Sequence, residues 1–451
     1  MSKRLDDARS IALQAIVEGA EKLLAEGSPV RRMAVGWHGG DETCDVIGEQ
    51  ILAECDDQAA TDPADLDLFI ATQIYAGGGH TAVIGDFVRA SDSARAEVIV
   101  TGTVERDIHG GEPPGEIVGR LGIGADDLSL CPHEDRAMAT RWLIELIGRR
   151  RPRRVFLFHH PQDAVAIAGT RPSLCGEIYL VHHADRQATL GLHQRGSRII
   201  DISPFTAAFT KRVLGLEPIY APMIVSDPGE PPARRIRPPF TTVSSGSAHK
   251  FGGDYAENIA CVLEATGGRH IHIGFLKDKR LGGIREHLEG RGIDRDRFEY
   301  IEWVPSLAGA LIELEADLCI SSAPMGGART AIEAGAAGVP MLAHLPDFAT
   351  LFGVNHVMPK SLPVWRSIGE LVEILRGIDE SWIIAHGQES RRYFEDCHHP
   401  RQLRNALANL EDSHSPELPD LPISELVDVA AAGRQLTGDW GFLRNEIALL
   451  D

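Results

Sequence analysis

The 451-residue chain has no run approaching the ~18 consecutive apolar residues of a membrane-spanning helix. A spanning protein is therefore not expected. Its opening stretch, MSKRLDDARSIALQAIVEGAEKLL, has helical apolar spacing but no uninterrupted apolar core and no cleavage site, so it does not read as a signal peptide. Cysteine is scarce. Cys44, Cys55, Cys131, Cys175, Cys261, Cys319 and Cys397 are odd in number and never in CxxC spacing, which fits reduced thiols and a cytoplasmic location. Cations are outnumbered: 45 Lys and Arg face 65 Asp and Glu, for a formal charge of −20. That balance argues against a broad nucleic-acid footprint. It leaves room for a small anionic ligand held by backbone amides and a few local cations. No GxGxxG with a following ribose acid comes after the first strand, which weighs against a dinucleotide-dependent oxidoreductase. Short-period repeats and low-complexity tracts are missing as well.

What is present is ordinary globular composition, 43% hydrophobic and 24% charged, in a length that suits two domains of about 200 residues each. Residues 4–26 read as an amphipathic helix. Short, nearly continuous apolar runs then alternate with helical patterns. The runs 66–75, 96–102, 153–160, 177–183 and 197–203 have the character of parallel strands covered on both faces. A second set, 240–246, 269–276, 298–305, 317–322 and 339–344, follows SDPGEPPARRIRPP at 226–239, which reads as a linker. The expected class is α/β: two doubly wound, Rossmann-like parallel sheets. The expected division is 1–225, linker 226–239, 240–385, and C-terminal helices 386–451 packing back on the first domain. Ligands in such sheets bind at the carboxyl ends of strands, and the crevice between two such domains is the default site.

Two loops fall at such strand ends. In CISSAPMGGARTAIEAGAAGVPML (319–342), Gly326 and Gly327 let the backbone turn tightly beside a ligand. The first helical amides after them favour an anion such as a diphosphate. Thr330 adds a hydroxyl. Glu333, nearly one turn deeper on the same face, would repel phosphate but could accept from a diol such as the ribose hydroxyls. In GGGHT (77–81), His80 falls at a helix N-terminus, where a neutral imidazole could take a proton from an acceptor hydroxyl.

The spacing G-A-x-T-x-x-E-x-x-A-x-G-x-P at 327–340 resembles the donor-nucleotide motif of GT-B glycosyltransferases, in particular the UDP-N-acetylglucosamine transferases of peptidoglycan synthesis. The match is specific over about 25 residues, and the two-domain layout extends it over most of the chain. Those transferases also carry a glycine-rich Gly-Gly-His loop early in their first domain, matched here by Gly78, Gly79 and His80. The resemblance implies a GT-B fold and transfer of a sugar from a nucleotide-sugar donor, UDP-linked, to an acceptor hydroxyl. It gives the diphosphate to Gly326, Gly327 and Thr330, the ribose to Glu333, the nucleobase to backbone groups at Val304, and the catalytic base to His80, with Gly79 beside donor and acceptor. Lys250, in the loop Ser244–Lys250, would contact the phosphates, with Lys277 as a weaker version of the same idea. Met325 stands where retaining members often carry a second Glu, which favours inversion of configuration. No cofactor or metal is then required, because the nucleotide sugar enters as substrate.

Two histidine clusters complete the inventory, His159-His160-Pro161-Gln162-Asp163 and Val181-His182-His183-Ala184-Asp185. Neighbours on a strand point to opposite faces, so a metal site is not expected. An acceptor site with His183 or Asp185 as an alternative base is one reading, and buried, hydrogen-bonded histidines the other. Trp303 reads as either core or part of the nucleobase loop. The rival functions are a UDP-sugar 2-epimerase of the same fold, which typically has paired Glu where Ile332-Glu333 stands here, and a non-catalytic nucleotide-sugar-binding protein. The acceptor could be a glycan, a protein or a small molecule.

Overall fold

The computed structural model describes residues 2–25, 38–55, 62–75, 79–103, 115–183, 189–212, 214–232, 236–252, 254–345 and 354–410. By packing, the chain divides into one unit of residues up to Ala221 together with those from Arg404 on, and a second of Pro222–Leu403. The sequence places the division a few residues later, at 225, and the return at 386. Residues 226–232 and 236–239 belong to the second unit. Ile236 is buried in its core, and Asp227 accepts from Arg391 at 2.8 Å.

The first unit holds seven parallel strands: β1 (Ala64–Ala71), β2 (Arg95–Val100), β3 (Leu128–Leu130), β4 (Pro152–Phe158), β5 (Glu177–His182), β6 (Ser197–Asp201) and β7 (Ile219–Tyr220). Their order is β3-β2-β1-β4-β5-β6-β7. Strand alternation explains why each run is apolar throughout. Leu66, Leu68, Ile70, Val155, Leu157 and Ile178 pack with the helices Ser2–Ala25, His38–Leu52, Arg136–Arg150 and Ala164–Gly169. On the opposite face Phe69, Phe156 and Tyr179 lie in register on β1, β4 and β5. They stack with ring centroids 5.1 and 5.3 Å apart, and Phe87 of the helix Gly79–Ala90 meets Phe156 edge-on. Helices therefore cover both faces.

A buried ion pair interrupts the apolar sheet. Arg154 on β4 donates to both carboxylate oxygens of Asp67, its register partner on β1, at 2.8 and 2.5 Å, and both side chains are buried. Its remaining amino group donates to the Leu407 carbonyl at 3.2 Å, in the helix Pro400–Ala408, so the pair also ties that helix to the sheet. Arg154 also donates to Asp92 at 2.5 Å, so the buried guanidinium is shared between two carboxylates.

The second unit has six parallel strands: β8 (Thr241–Ser245), β9 (Arg269–Ile273), β10 (Phe298–Ile301), β11 (Leu318–Ile320), β12 (Met341–His344) and β13 (Val364–Trp365). Their order is β10-β9-β8-β11-β12-β13. Val243, Ile271, Cys319 and Met341 face the helices Leu307–Glu313 and Ala328–Ala336. Leu318, Ile320 and Leu342 face the other way, towards Val262 of the helix Tyr255–Thr266 and Leu371 of the helix Ile368–Gly377.

Counted from its own first strand, each sheet runs 3-2-1-4-5-6, with β7 added at one edge of the first. The direction of winding therefore reverses between β1 and β4 in one unit and between β8 and β11 in the other. Loops on the two sides of such a point leave the sheet in opposite directions and open a crevice at the strand carboxyl ends.

Candidate functional site

The reversal point of the second unit carries the small-residue motif. After β8 the chain turns through Gly246 into a short 3-10 turn, Ala248–Lys250. After β11 it passes Ser321–Gly327 into the helix Ala328–Ala336. The two loops are laced together. Gly252 N–H donates to the Ala323 carbonyl at 2.8 Å, Met325 N–H reaches the Lys250 carbonyl at 3.4 Å, and Phe251 bridges Pro324. The Lys250 ammonium and the Thr330 hydroxyl converge on Gly327, where an added Cβ would lie 3.1 Å from the first and 2.9 Å from the second. Any side chain there would displace the groups that define the site. The N–H groups of residues 328–330 have no carbonyl within their helix to bond, and the Ala331 N–H is the first to find one, at Gly327. One ammonium, one hydroxyl and the amides of a helix N-terminus around a glycine suit an anion.

Three further features hold it. Arg280, in the helix Asp278–Gly290, donates to the carbonyls of Ala248, Phe251 and Gly252 at 2.9, 2.9 and 2.6 Å, so it clamps the Lys250 loop from behind. The sequence reading missed it, because an arginine after LKDK has no signal without its carbonyl partners. Gly274 (φ +139°) lets the end of β9 pass under the loop; a Cβ there would sit 2.2 Å from the Gly246 carbonyl oxygen. Glu333 accepts the Ala308 N–H at 3.1 Å and lies 3.5 Å from Arg329. It thus braces the helix Leu307–Glu313, whose cap Ser306 accepts from Gly309 N–H at 3.1 Å. Val304, just upstream, is partly buried against the same core. Trp303 corrects one reading: the residue is 64% exposed and so not core. Lys277 is exposed at its helix cap.

The reversal point of the first unit is built from imidazoles. His80 lies in the first turn of the helix Gly79–Ala90 after β1, His160 follows β4, and His183 follows β5. Their rings gather: His80 is 4.6 Å from His183 and 5.4 Å from His160 between centroids. Tyr75 stacks on His160 at 6.0 Å. Its hydroxyl donates to Gln73 and lies 3.2 Å from His160 Nε2. Thr81 accepts the Tyr75 N–H at 2.7 Å, which fixes the start of the glycine loop. Gly79 opens the helix with free space at its Cα. Gly77, Gly78 and Asp185 lie outside the described residues.

Each histidine pair divides between core and site, as strand alternation requires. His159 is buried and bonds the Leu190 carbonyl at 2.8 Å, while His182 is buried against Asp201 at 2.9 Å. Their neighbours His160 and His183 join His80. Asp163 underlies the cluster. It accepts from Thr72, Thr101 and Thr103 at 2.7, 2.5 and 2.9 Å and caps the helix Ala164–Gly169 through Val165 N–H and Ala166 N–H. The ends of β1, β2 and β4 are thereby pinned to one carboxylate.

Burial lowers the His80 imidazole well below the usual histidine range, and the nearby His183 and His160 push it further, against an opposing bond to the Gln73 carbonyl. Burial takes His183 down to about 3 despite its bond to the Val181 carbonyl. His80 and His183 are therefore neutral at pH 7. Among the described residues, no group of three or more His, Cys, Asp or Glu could hold a metal ion.

No family model matches the sequence, and no curated protein matches it. Solved structures do. A glycosyltransferase from Rickettsia africae aligns at TM-score 0.54 and 11% identity, over 78% of this chain and 98% of that one. Anabaena HepE in complex with UDP and glucose aligns at 0.54 and 11%, over 77% and 99%. Its complex with UDP-glucose aligns at 0.51 and 12%, over 77% and 100%. With its two parallel doubly wound sheets, this chain has the GT-B fold. At such identity the likeness establishes the fold and nothing finer. Among the described residues, no helix is long and apolar enough to cross a membrane.

Proposed function

We propose that this protein is a glycosyltransferase that moves a sugar from a UDP-linked donor to an acceptor hydroxyl, with inversion of configuration and without a required metal. The observation that carries the reading is the convergence of Lys250 and Thr330 on Gly327, at the N-terminus of the helix Ala328–Ala336 and the reversal point of the second sheet. A sugar diphosphate leaves with negative charge. Preorganised amides and an ammonium stabilise that charge as it develops. Glu333 would receive the ribose hydroxyls on the carboxylate oxygen that Ala308 does not use, and backbone groups at Val304 would read the base. The choice of UDP leans on the Anabaena neighbour, which was solved with UDP and glucose.

In the reaction, the acceptor oxygen attacks the anomeric carbon as its proton passes to His80 Nε2. The bond from that carbon to the diphosphate oxygen breaks, and its electrons leave with UDP. Met325, in place of the second glutamate of retaining members, supports a single inverting displacement.

Thermal shift with UDP, GDP, TDP, ADP and NAD, each with and without Mg²⁺, tests the donor half. UDP should stabilise the wild type without Mg²⁺, by about 2.7 kcal/mol at a hundred times its Kd. Lys250→Ala and Glu333→Ala should lose most of that response. Stabilisation by NAD alone, or by no nucleotide, would sink the reading. UDP binding without UDP release from any sugar donor would leave a binding protein.

A further inference from the structure

Resting on the transferase reading, we infer that Arg329 is a positioning residue for the nucleotide. It holds the Glu333 carboxylate in the orientation that meets the ribose hydroxyls, and it takes its own position from the Ile224 carbonyl. Arg329 is the second residue of the helix Ala328–Ala336, and Glu333 lies four residues on, on the same face. The Arg329 Nη1–H donates to the Ile224 carbonyl at 2.9 Å, and Nε lies 3.5 Å from Glu333 Oε1. The other carboxylate oxygen, Oε2, accepts the Ala308 N–H at 3.1 Å. Each oxygen thus has a different neighbour, and the group cannot rotate without losing one of them. At 3.5 Å the guanidinium attracts Oε1 by charge and leaves its lone pairs open to a hydroxyl.

The helix alone gives no reason for an arginine here. A cation in the first turn lies against the positive end of the helix dipole, and Arg before Glu is the weaker order of an i, i+4 pair. The reason lies in the partners, and the anchor is firm. Ile224 is buried, and Val225 packs into the core of the second unit. The preceding carbonyl, that of Met223, accepts from His398 Nδ1–H at 2.7 Å. Two consecutive carbonyls of the segment that opens the second unit at Pro222 are therefore each held by a side chain. Arg329 passes that fix on to Glu333. It is not assigned to the diphosphate, because its Nη1 is taken by a carbonyl and the ammonium beside Gly327 is that of Lys250. Without Arg329, the carboxylate is free to turn towards the Ala308 N–H with either oxygen. The ribose then loses a fixed acceptor, while the diphosphate keeps Lys250 and Thr330.

The test is isothermal titration of UDP and of 2′,3′-dideoxy-UDP, which lacks both ribose hydroxyls. It covers wild type, Arg329→Gln, Arg329→Lys, Glu333→Ala and the double variant Arg329→Gln/Glu333→Ala. Wild type should prefer UDP by roughly tenfold or more, the strength of one hydrogen bond to a charged group. Arg329→Gln should weaken UDP about tenfold and leave the dideoxy analogue unchanged, so that the preference disappears. The unchanged analogue also reports a folded variant. Arg329→Lys, which keeps a cation without the planar fork, should restore part of the preference. In the Glu333→Ala background the further change at 329 should alter neither affinity, because Arg329 acts through that carboxylate. Equal losses of UDP and the analogue in Arg329→Gln would assign Arg329 to the diphosphate or to the fold, and overturn the inference. A preference that survives Arg329→Gln, or losses that add in the double variant, would overturn it too. Each of these failures leaves UDP binding by the wild type intact. A wild type that binds neither nucleotide would instead fail the transferase reading, and the inference with it.

Discussion

The two reversal points share a strand order and almost nothing else. In the second unit the site is made of backbone: helix-end amides and a glycine turn, with one ammonium held in place by Arg280 from behind. In the first unit it is made of rings, three imidazoles and a phenol at the ends of β1, β4 and β5. The first kind offers donors and positive potential, and suits a ligand that arrives charged. The second gathers imidazoles in a desolvated setting, with His80 Nε2 buried and unpartnered. The same topology thus presents two different chemistries, set by which residues occupy the first few positions after each strand.

The largest expected effect separates binding from chemistry. His80→Ala should lower kcat by roughly 10²–10⁴-fold, the range of a general base, and leave the UDP thermal shift unchanged. Lys250→Ala should do the reverse in emphasis, weakening UDP by about tenfold or more, since a bond to a charged group is worth about 1.5–3 kcal/mol. Isothermal titration with UDP, beside single-turnover rates, reads both. If His80→Ala abolished UDP binding, or Lys250→Ala left it intact, the division between the two ends would fail.

Arg280→Ala sharpens the same comparison with a smaller effect. Arg280 is not placed against the ligand. It holds three carbonyls of the Lys250 loop, so its removal should weaken UDP by less than Lys250→Ala does and should slacken the loop, seen as faster amide exchange at 248–252. No change in exchange would show that the loop is held by its bonds to residues 323–325 without Arg280.

How much of this was legible in the sequence follows from the same contrast. The second-unit site could be read because its chemistry is local: within 326–333 a turn, a hydroxyl, a helix end and a carboxylate come at fixed spacing. The strands around it were equally plain, since every covered parallel strand is an apolar run. The short edge strands β3, β7 and β13, of two or three residues, were not, because so few positions carry no period. The first-unit cluster was visible only as separate parts. His80, His160 and His183 are far apart in sequence, and their gathering depends on β1, β4 and β5 being neighbours. The alternation rule did say that each paired histidine would split, and His159 and His182 do lie in the core while their neighbours do not. Tyr75, Gln73 and Arg280 gave no signal at all. What each does is defined by a partner distant in the chain or by a local turn that only the fold sets.

The smallest effect, and the one that sets the first unit's acid–base behaviour apart, is in stability against pH. Depressed histidines occur in both units: His183 falls to about 3 in the first, and His270 to about 3, His272 to about 4 and His398 to about 4 in the second, all by burial. Below the ordinary pKa of 6.5 the unfolded chain takes up protons that these folded sites refuse, so stability falls as pH drops from about 6.5 towards 4. Asp41, in the helix His38–Leu52 of the first unit, has the opposite sign. Burial raises its carboxyl to about 8, against the pull of the Gly191 and His193 N–H groups at 2.6 and 2.8 Å. The folded state keeps a proton there that the unfolded state loses above the ordinary carboxyl pKa of 3.8, so stability also falls as pH rises towards 8. Each group contributes at most about 1.4 kcal/mol per pH unit. Urea unfolding at pH 5, 6.5 and 8 should therefore give a maximum near the middle value. Asp41→Asn should flatten the arm between 6.5 and 8 and leave the acid arm in place. An alkaline arm that survives the substitution would assign it to another group, and a variant that loses the acid arm as well would show that Asp41 and the imidazole cluster titrate together.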